Sequence, residues 1–117
     1  MPFVILYVED DAYIRESFAE LLAAADRRIV PVADGAGARA ALREHPVNLL
    51  ITDINLPDGS GVAVAREALR QNPSLPVIVC SGHDLREVVR SLGPTAHPLS
   101  KPFDLDDLEA LVDRLAG

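Results

Sequence analysis

The chain has no tryptophan, and aromatic residues make up only 4% of its 117 positions. Platforms that stack nucleic-acid bases are built from such rings, so that mode of binding is disfavoured. Basic residues are also scarce: 11 Lys and Arg stand against 18 Asp and Glu, for a net charge of -7. They are scattered along the chain, which argues against direct recognition of DNA or RNA phosphates. A lone cysteine, Cys80, excludes an internal disulfide and suits a reducing compartment. It lies inside an apolar run, where a thiol is buried and inert. Those runs reach only about half a dozen residues, against the roughly 20 that cross a bilayer. No basic segment leading an apolar stretch marks a signal peptide. The expectation is a cytoplasmic protein without membrane insertion.

What is present is apolar residue in regular bursts. A hydrophobic content of 49% suits one domain with one core over residues 1–117, leaving output to a partner or to chain outside this sequence. Residues 3–8 read as the first strand. Helix 1 follows over about 12–25, with Ile14, Phe18, Leu21, Leu22 and Ala25 as an inward stripe of helical period. Residues 29–33 form a second strand whose Pro31 confines it to a sheet edge. Asp34 caps helix 2, which runs over 36–44 and stops before Pro46.

The third strand is 48–52, and helix 3 starts near Ser60 or Gly61 with Val62, Ala65 and Leu69 inward, ending at Asn72-Pro73. A fourth strand covers 76–80. Asp84-Leu85-Arg86-Glu87 has the form of a capping box and opens helix 4, with Leu85, Val88, Val89 and Leu92 on one side and a stop at Gly93-Pro94. The fifth strand is 96–100. Helix 5 takes Asp104 as its cap and buries Leu105, Leu108, Val112 and Leu115. Alternating strands and helices of this kind imply an α/β fold, a doubly wound five-stranded parallel sheet with helices on both faces. Right-handed crossovers favour the flavodoxin-like order 2-1-3-4-5.

Chemistry gathers where these strands end. The first runs into Glu9-Asp10-Asp11, the third into Asp53, the fourth into Ser81-Gly82 and the fifth into Lys101-Pro102. In the order 2-1-3-4-5 the first and third strands are neighbours at the switch point, so Glu9, Asp10 and Asp53 meet through topology. Crowded carboxylates repel unless a cation joins them. Their hard oxygens, without His or Cys at zinc spacing, suit Mg2+ or Mn2+. An aspartate beside such an ion can attack phosphorus, with Lys101 and the Ser81 hydroxyl available to the phosphoryl oxygens and the Gly82 amide free to approach. The plainer alternative for Glu9–Asp11 alone is a solvated acidic turn at the start of a helix. Asp53 and Lys101 at matching strand ends favour the site.

Val8-Glu9-Asp10-Asp11 with Arg15, Thr52-Asp53 through Ser60-Gly61, Val79-Cys80-Ser81-Gly82 and Lys101-Pro102-Phe103 together resemble the receiver domain of two-component response regulators. The resemblance covers essentially the whole chain, in order. It implies that Asp53 accepts phosphate from a histidine kinase or histidine phosphotransfer protein. It further implies that Glu9 and Asp10 hold the ion, Asp10 directly, with Asp53 and the Asn55 backbone carbonyl. Ser81, Gly82, Lys101 and Asn55 would attend the phosphate, and Ser81 and Lys101 would sense it. The Lys101-Pro102 bond would be cis. The resemblance implies a module that catalyses only its own phosphorylation and dephosphorylation and passes the signal to an effector protein. A homodimer through helix 4, strand 5 and helix 5 belongs to the same expectation.

Two features depart from the family pattern. Pro98 stands three residues before Lys101, where an aromatic ring that reorients on phosphorylation is usual, and 81–101 is slightly short. Both bear on readout through helix 4, strand 5 and helix 5. The ending Pro98–Phe103 also resembles receivers attached to sensor kinases. Two further readings remain: a receiver-like interaction module that signals without phosphate, and a Mg2+-dependent phosphatase. The first would lack a ligand or the lysine, and the second wants an acid where Asn55 stands.

Overall fold

The computed structural model describes residues 2–24 and 26–116. Its main sheet contains β1 (Phe3–Val8), β2 (Arg27–Val32), β3 (Leu49–Asp53), β6 (Val77–Ser81) and β7 (Ala96–Ser100), all parallel, in the order β2-β1-β3-β6-β7. This is the expected 2-1-3-4-5. A hairpin of two short strands, β4 (Asn55–Leu56) and β5 (Gly59–Ser60), is an addition that the sequence pattern did not predict. The helices are α1 (Ala12–Leu22), α2 (Gly35–Glu44), α3 (Gly61–Gln71), α4 (Arg86–Leu92) and α5 (Leu105–Ala116).

Alternation along the strands splits the core in two. Leu6, Val8, Leu50, Val77 and Val79 face one layer with Ala38 and Ala41 of α2 and Val64, Ala65 and Ala68 of α3. Ile5, Tyr7, Leu49, Ile51, Ile78 and Cys80 face the other, with Leu22 of α1 and Leu108 and Val112 of α5. Strands covered on both faces have no solvent side, which explains their unbroken apolar runs. Each edge strand carries a proline, Pro31 in β2 and Pro98 in β7, where a missing N–H costs no ladder bond.

Several local expectations are corrected. Helix α1 ends at Leu22, and Ala25 lies outside the described residues. Phe18 and Leu22 take its core side, whereas Ile14 and Leu21, on one flank of the stripe, are 40% and 55% exposed. β2 begins at Arg27, two residues early. In α3 the buried set is Val64, Ala65 and Ala68, with Val62 and Leu69 only half-buried. The capping box at Asp84 does not form: α4 is capped at Leu85 without a side-chain bond, while Asp84 binds the Arg86 amide and guanidinium. Glu87 turns instead to Arg90. A reciprocal box appears at α5, where Asp104 Oδ1 accepts from the Asp107 amide and Asp107 Oδ2 from the Asp104 amide.

Two contacts fix the turn that carries Asp53. Asp58 accepts the Gly35 and Ala36 amides at 2.8 and 2.9 Å, tying the hairpin to the open first turn of α2. Those two bonds hold its carboxyl below the ordinary range. Gly61 donates its amide to the Ile54 carbonyl at 2.9 Å, and a Cβ on it would lie 1.7 Å from the Asp53 carbonyl oxygen. Backbone cannot yield to that clash as a flexible side chain can. Gly61→Ala should therefore cost about 3 kcal/mol in denaturant unfolding, while Gly82→Ala should stay within about 0.5. Nothing lies within 4 Å of a Cβ at Gly82. Equal effects at the two positions would show that close approach to Asp53 is not the constraint.

Candidate phosphoryl-transfer site

Register carries the chemistry to one edge. Val8 pairs with Thr52, Thr52 with Val79, Asp53 with Cys80 and Ser81 with Ser100. Glu9, Asp53, Ser81 and Lys101 therefore finish or follow four adjacent strands at nearly one level. Asp53 closes β3 and is 7% exposed; Ser81 closes β6 and is 5% exposed. Asp10, Asn55 and Gly82 are exposed around them. With Lys101, these six border an open cavity of about 310 Å3. Every residue expected in the site is thus brought together except that Glu9 sits behind it, buried, outside the cavity lining.

Oxygens of Glu9, Asp10 and Asp53 lie within 4.8 Å of one another. Lys101 Nζ answers them, 2.7 Å from Asp53 Oδ1 and 4.0 Å from Glu9 Oε1. The Glu9 carboxyl is pushed up from 4.5 to about 7, chiefly by burial, with the Asp53 charge and the Asp10 side chain adding to it. A bond from the Asp11 amide to Glu9 Oε2 and the charge of Lys101 work the other way. Burial pulls Lys101 down, but its bond to Asp53 and the negative charges around it prevail, so its pKa is raised and it stays protonated. This donor set of hard oxygens, carrying more negative charge than one lysine offsets, fits a divalent Mg2+ or Mn2+ ion.

Ser81 Oγ accepts the His83 amide at 3.0 Å, which leaves its own O–H free to donate into the cavity. Lys101 is anchored at its backbone, where its amide donates to the Ser81 carbonyl at 2.8 Å. The Lys101-Pro102 bond is cis, as expected. Beyond it, Phe103 meets Phe18 edge-on with ring centroids 6.1 Å apart, fastening the lysine loop to α1. Cys80 also lines the cavity, but it is buried and its thiol is pushed up to about 12 by desolvation and by Asp53. It is inert, as the sequence indicated.

Two contributors escaped sequence reasoning. Arg15 bonds the loop carbonyls behind the acidic residues, and Thr52 Oγ1 donates to the Asp53 carbonyl at 2.8 Å. A basic residue in the first turns of α1 was visible as part of a motif, yet its acceptors were not. Backbone acceptors leave no mark in a sequence.

Comparison with known proteins agrees with this fold. The family model described as the response regulator receiver domain matches residues 5–113. The DNA-binding transcriptional regulator NtrC of Escherichia coli is 34% identical over 113 residues, covering 95% of this chain and 24% of that protein. This chain thus spans about a quarter of that regulator. The response regulator receiver protein CpdR of Brucella abortus is 32% identical over 117 residues, covering 95% of this chain and 94% of CpdR. Among solved structures, a CheY-like receiver domain protein of Methanospirillum hungatei superposes with a TM-score of 0.85 at 26% identity, covering 99% of this chain and 95% of that one. No described helix is long and apolar enough to cross a membrane. The chain belongs to the response regulator receiver domain family of two-component signalling.

Proposed function

We propose that residues 1–117 form a phosphoacceptor receiver in which Asp53 takes a phosphoryl group from a phosphohistidine on a histidine kinase or phosphotransfer protein. The observation that carries this reading is the buried Asp53 carboxylate, paired with Lys101 at 2.7 Å and crowded by two further acids. An Asp53 oxygen attacks phosphorus, and the bond from phosphorus to the donor imidazole breaks. Its electron pair stays on the imidazole, and an acyl phosphate forms. Lys101 passes from the Asp53 oxygen to the incoming phosphoryl oxygens. The Ser81 hydroxyl and Gly82 amide donate to the same oxygens.

Glu9, Asp10 and Asp53, with the Asn55 backbone carbonyl, are the residues that would hold Mg2+ or Mn2+, Asp10 directly. A bound ion supplies neutralisation of the charge that builds on the phosphoryl oxygens. A module that signals without phosphate would be expected to lack one of these groups, and a phosphatase would want an acid in place of Asn55; neither description fits. This reading assigns an effector to the groove between α4 and β7, and what supports it is that Leu85, Val89 and Pro98 line about 440 Å3 there. That surface also bears on self-association, which sizing with and without phosphodonor would read.

Three outcomes are expected. Treated with a small phosphodonor and Mg2+, the parent chain should gain one phosphoryl group by mass spectrometry, and Asp53→Asn should gain none while remaining folded. Uptake by that variant sinks the assignment of Asp53. The second concerns pH in the absence of metal. Glu9 holds its proton more tightly when folded, so its contribution to stability is complete below 4.5 and fades as pH rises to about 7. The melting temperature should fall across that window, and Glu9→Gln should flatten this part of the fall. An unchanged slope would contradict the strained carboxyl.

The third concerns Pro98. A proline in β7 cannot swing as a ring does, so Ser81 must carry the change into the segment that follows it. With a beryllofluoride phosphate mimic, hydrogen exchange should change mainly over residues 81–95. Large changes confined to 96–100 would overturn the reasoning from proline.

A further inference from the structure

We propose that Arg15 is a positioning residue for the acidic loop, its guanidinium holding the backbone carbonyls of Glu9 and Asp10 so that their carboxylates converge on Asp53. The inference rests on the metal reading of the site above. Only Glu9, Asp10 and Asp11 separate the end of β1 from the start of α1. Those three must reverse the chain and also hold two carboxylates in place. Most polar atoms of the turn are already used. The Glu9 amide donates to the Val32 carbonyl, the Asp11 amide to Glu9 Oε2, and Asp11 Oδ1 accepts the Ile14 amide. The Glu9 and Asp10 carbonyls lie outside those bonds. Arg15 Nη1 approaches both, at 2.8 and 3.4 Å, while its own amide donates to the Asp11 carbonyl at 2.9 Å. One residue thus braces the loop from α1 at three successive carbonyls.

The choice of acceptor separates positioning from simple charge balance. Three clustered acids stand close by, yet among the described residues Arg15 forms no ion pair with any carboxylate within 4.0 Å. A guanidinium bonded to carbonyls sets direction, because the hydrogens of Nη1 are fixed in its plane, whereas a lysine ammonium turns freely. The two roles also predict opposite signs. If Arg15 acted only as a nearby positive charge, removing it would deepen the negative potential and tighten Mg2+ binding. If it aims the ligands, removing it loosens them, and supports of this kind are worth about 10–100-fold in metal affinity.

The test measures Mg2+ affinity by competition with Mn2+, read by electron paramagnetic resonance, together with the metal-free melting temperature, for the parent, Arg15→Met, Arg15→Lys and Asp10→Ala. We expect Arg15→Met to bind about tenfold more weakly. Arg15→Lys, which keeps the charge and loses the fixed planar donor, should fall between it and the parent. Hydrogen exchange at the Asp10 and Asp11 amides should quicken in both. Unchanged or tighter binding by Arg15→Met overturns the proposal. So does a fall in metal-free melting temperature with no change in affinity, which would leave Arg15 a helix contact only. If Arg15→Met does not fold, Arg15→Lys decides by the same criteria, and parent-like affinity sinks the idea. Asp10→Ala separates the two levels: normal binding there removes the metal reading itself, whereas lost binding there beside parental binding in both Arg15 variants removes only the role of Arg15.

Discussion

Three carboxylates have oxygens gathered within 4.8 Å, and among the described residues one cation, Lys101, pairs with two of them; much of the molecule follows from that imbalance. In water such acids would drift apart at little cost. Here two of them are buried at strand ends whose positions are fixed by ladder bonds, so repulsion is relieved by protonation, by Lys101 or by an added cation. Glu9 shows the first route, with its carboxyl raised to about 7. Lys101 shows the second, its pKa held up against burial by the acids it faces. The site is stable but electrostatically unsatisfied. On the proposed function, a divalent ion with a phosphoryl group would bring the positive charge the acids want and the anionic oxygens the lysine wants.

That tension needs a frame that does not relax. Gly61 packs against the Asp53 carbonyl so closely that no side chain is tolerated, and Thr52 bonds the same carbonyl from within the core. Asp58, five residues beyond Asp53, reaches α2 and takes two of its free amides. The turn that carries Asp53 is therefore clamped on both sides, leaving the adaptable parts elsewhere. α4 has seven residues, no side-chain cap and no fully buried residue, which puts it among the least anchored helices. It begins at Arg86, one short turn after Ser81 and Gly82. A shift of the Ser81 hydroxyl toward phosphate would act on the element with the least to hold it back.

Legibility differed between the sheet and its covering helices, for a physical reason. Strands buried on both faces leave few alternatives, so their runs, their order and the residues at their ends could be read directly. Asp53, Ser81 and Lys101 stand where that reading placed them because register, once set by topology, fixes strand ends without reference to side-chain detail. Helices were harder. The stripe of α1 named Ile14 and Leu21 together with Phe18 and Leu22, but periodicity gives a face only to within a flank, and packing on the sheet selects which flank is covered. The capping box was read at Asp84, where Arg86 competes for the carboxylate, and formed at Asp104, where no such neighbour intervenes. Both sites have the right acids; only the local competition differs.

The contacts that stayed hidden share one character: each joins a side chain to backbone atoms. Arg15 meets the Glu9 and Asp10 carbonyls, Asp58 meets the α2 amides, and Thr52 meets the Asp53 carbonyl. Sequence patterns record side chains facing side chains or water, and every residue but proline offers the same amide and carbonyl. Loops that gather carboxylates cannot use apolar packing for the purpose, since burying the carboxylates further would neutralise them. They are held by hydrogen bonds to the main chain, which orient a group without desolvating it. The three residues are polar and range from exposed Asp58 through half-buried Arg15 to buried Thr52, and only the folded backbone shows what they hold.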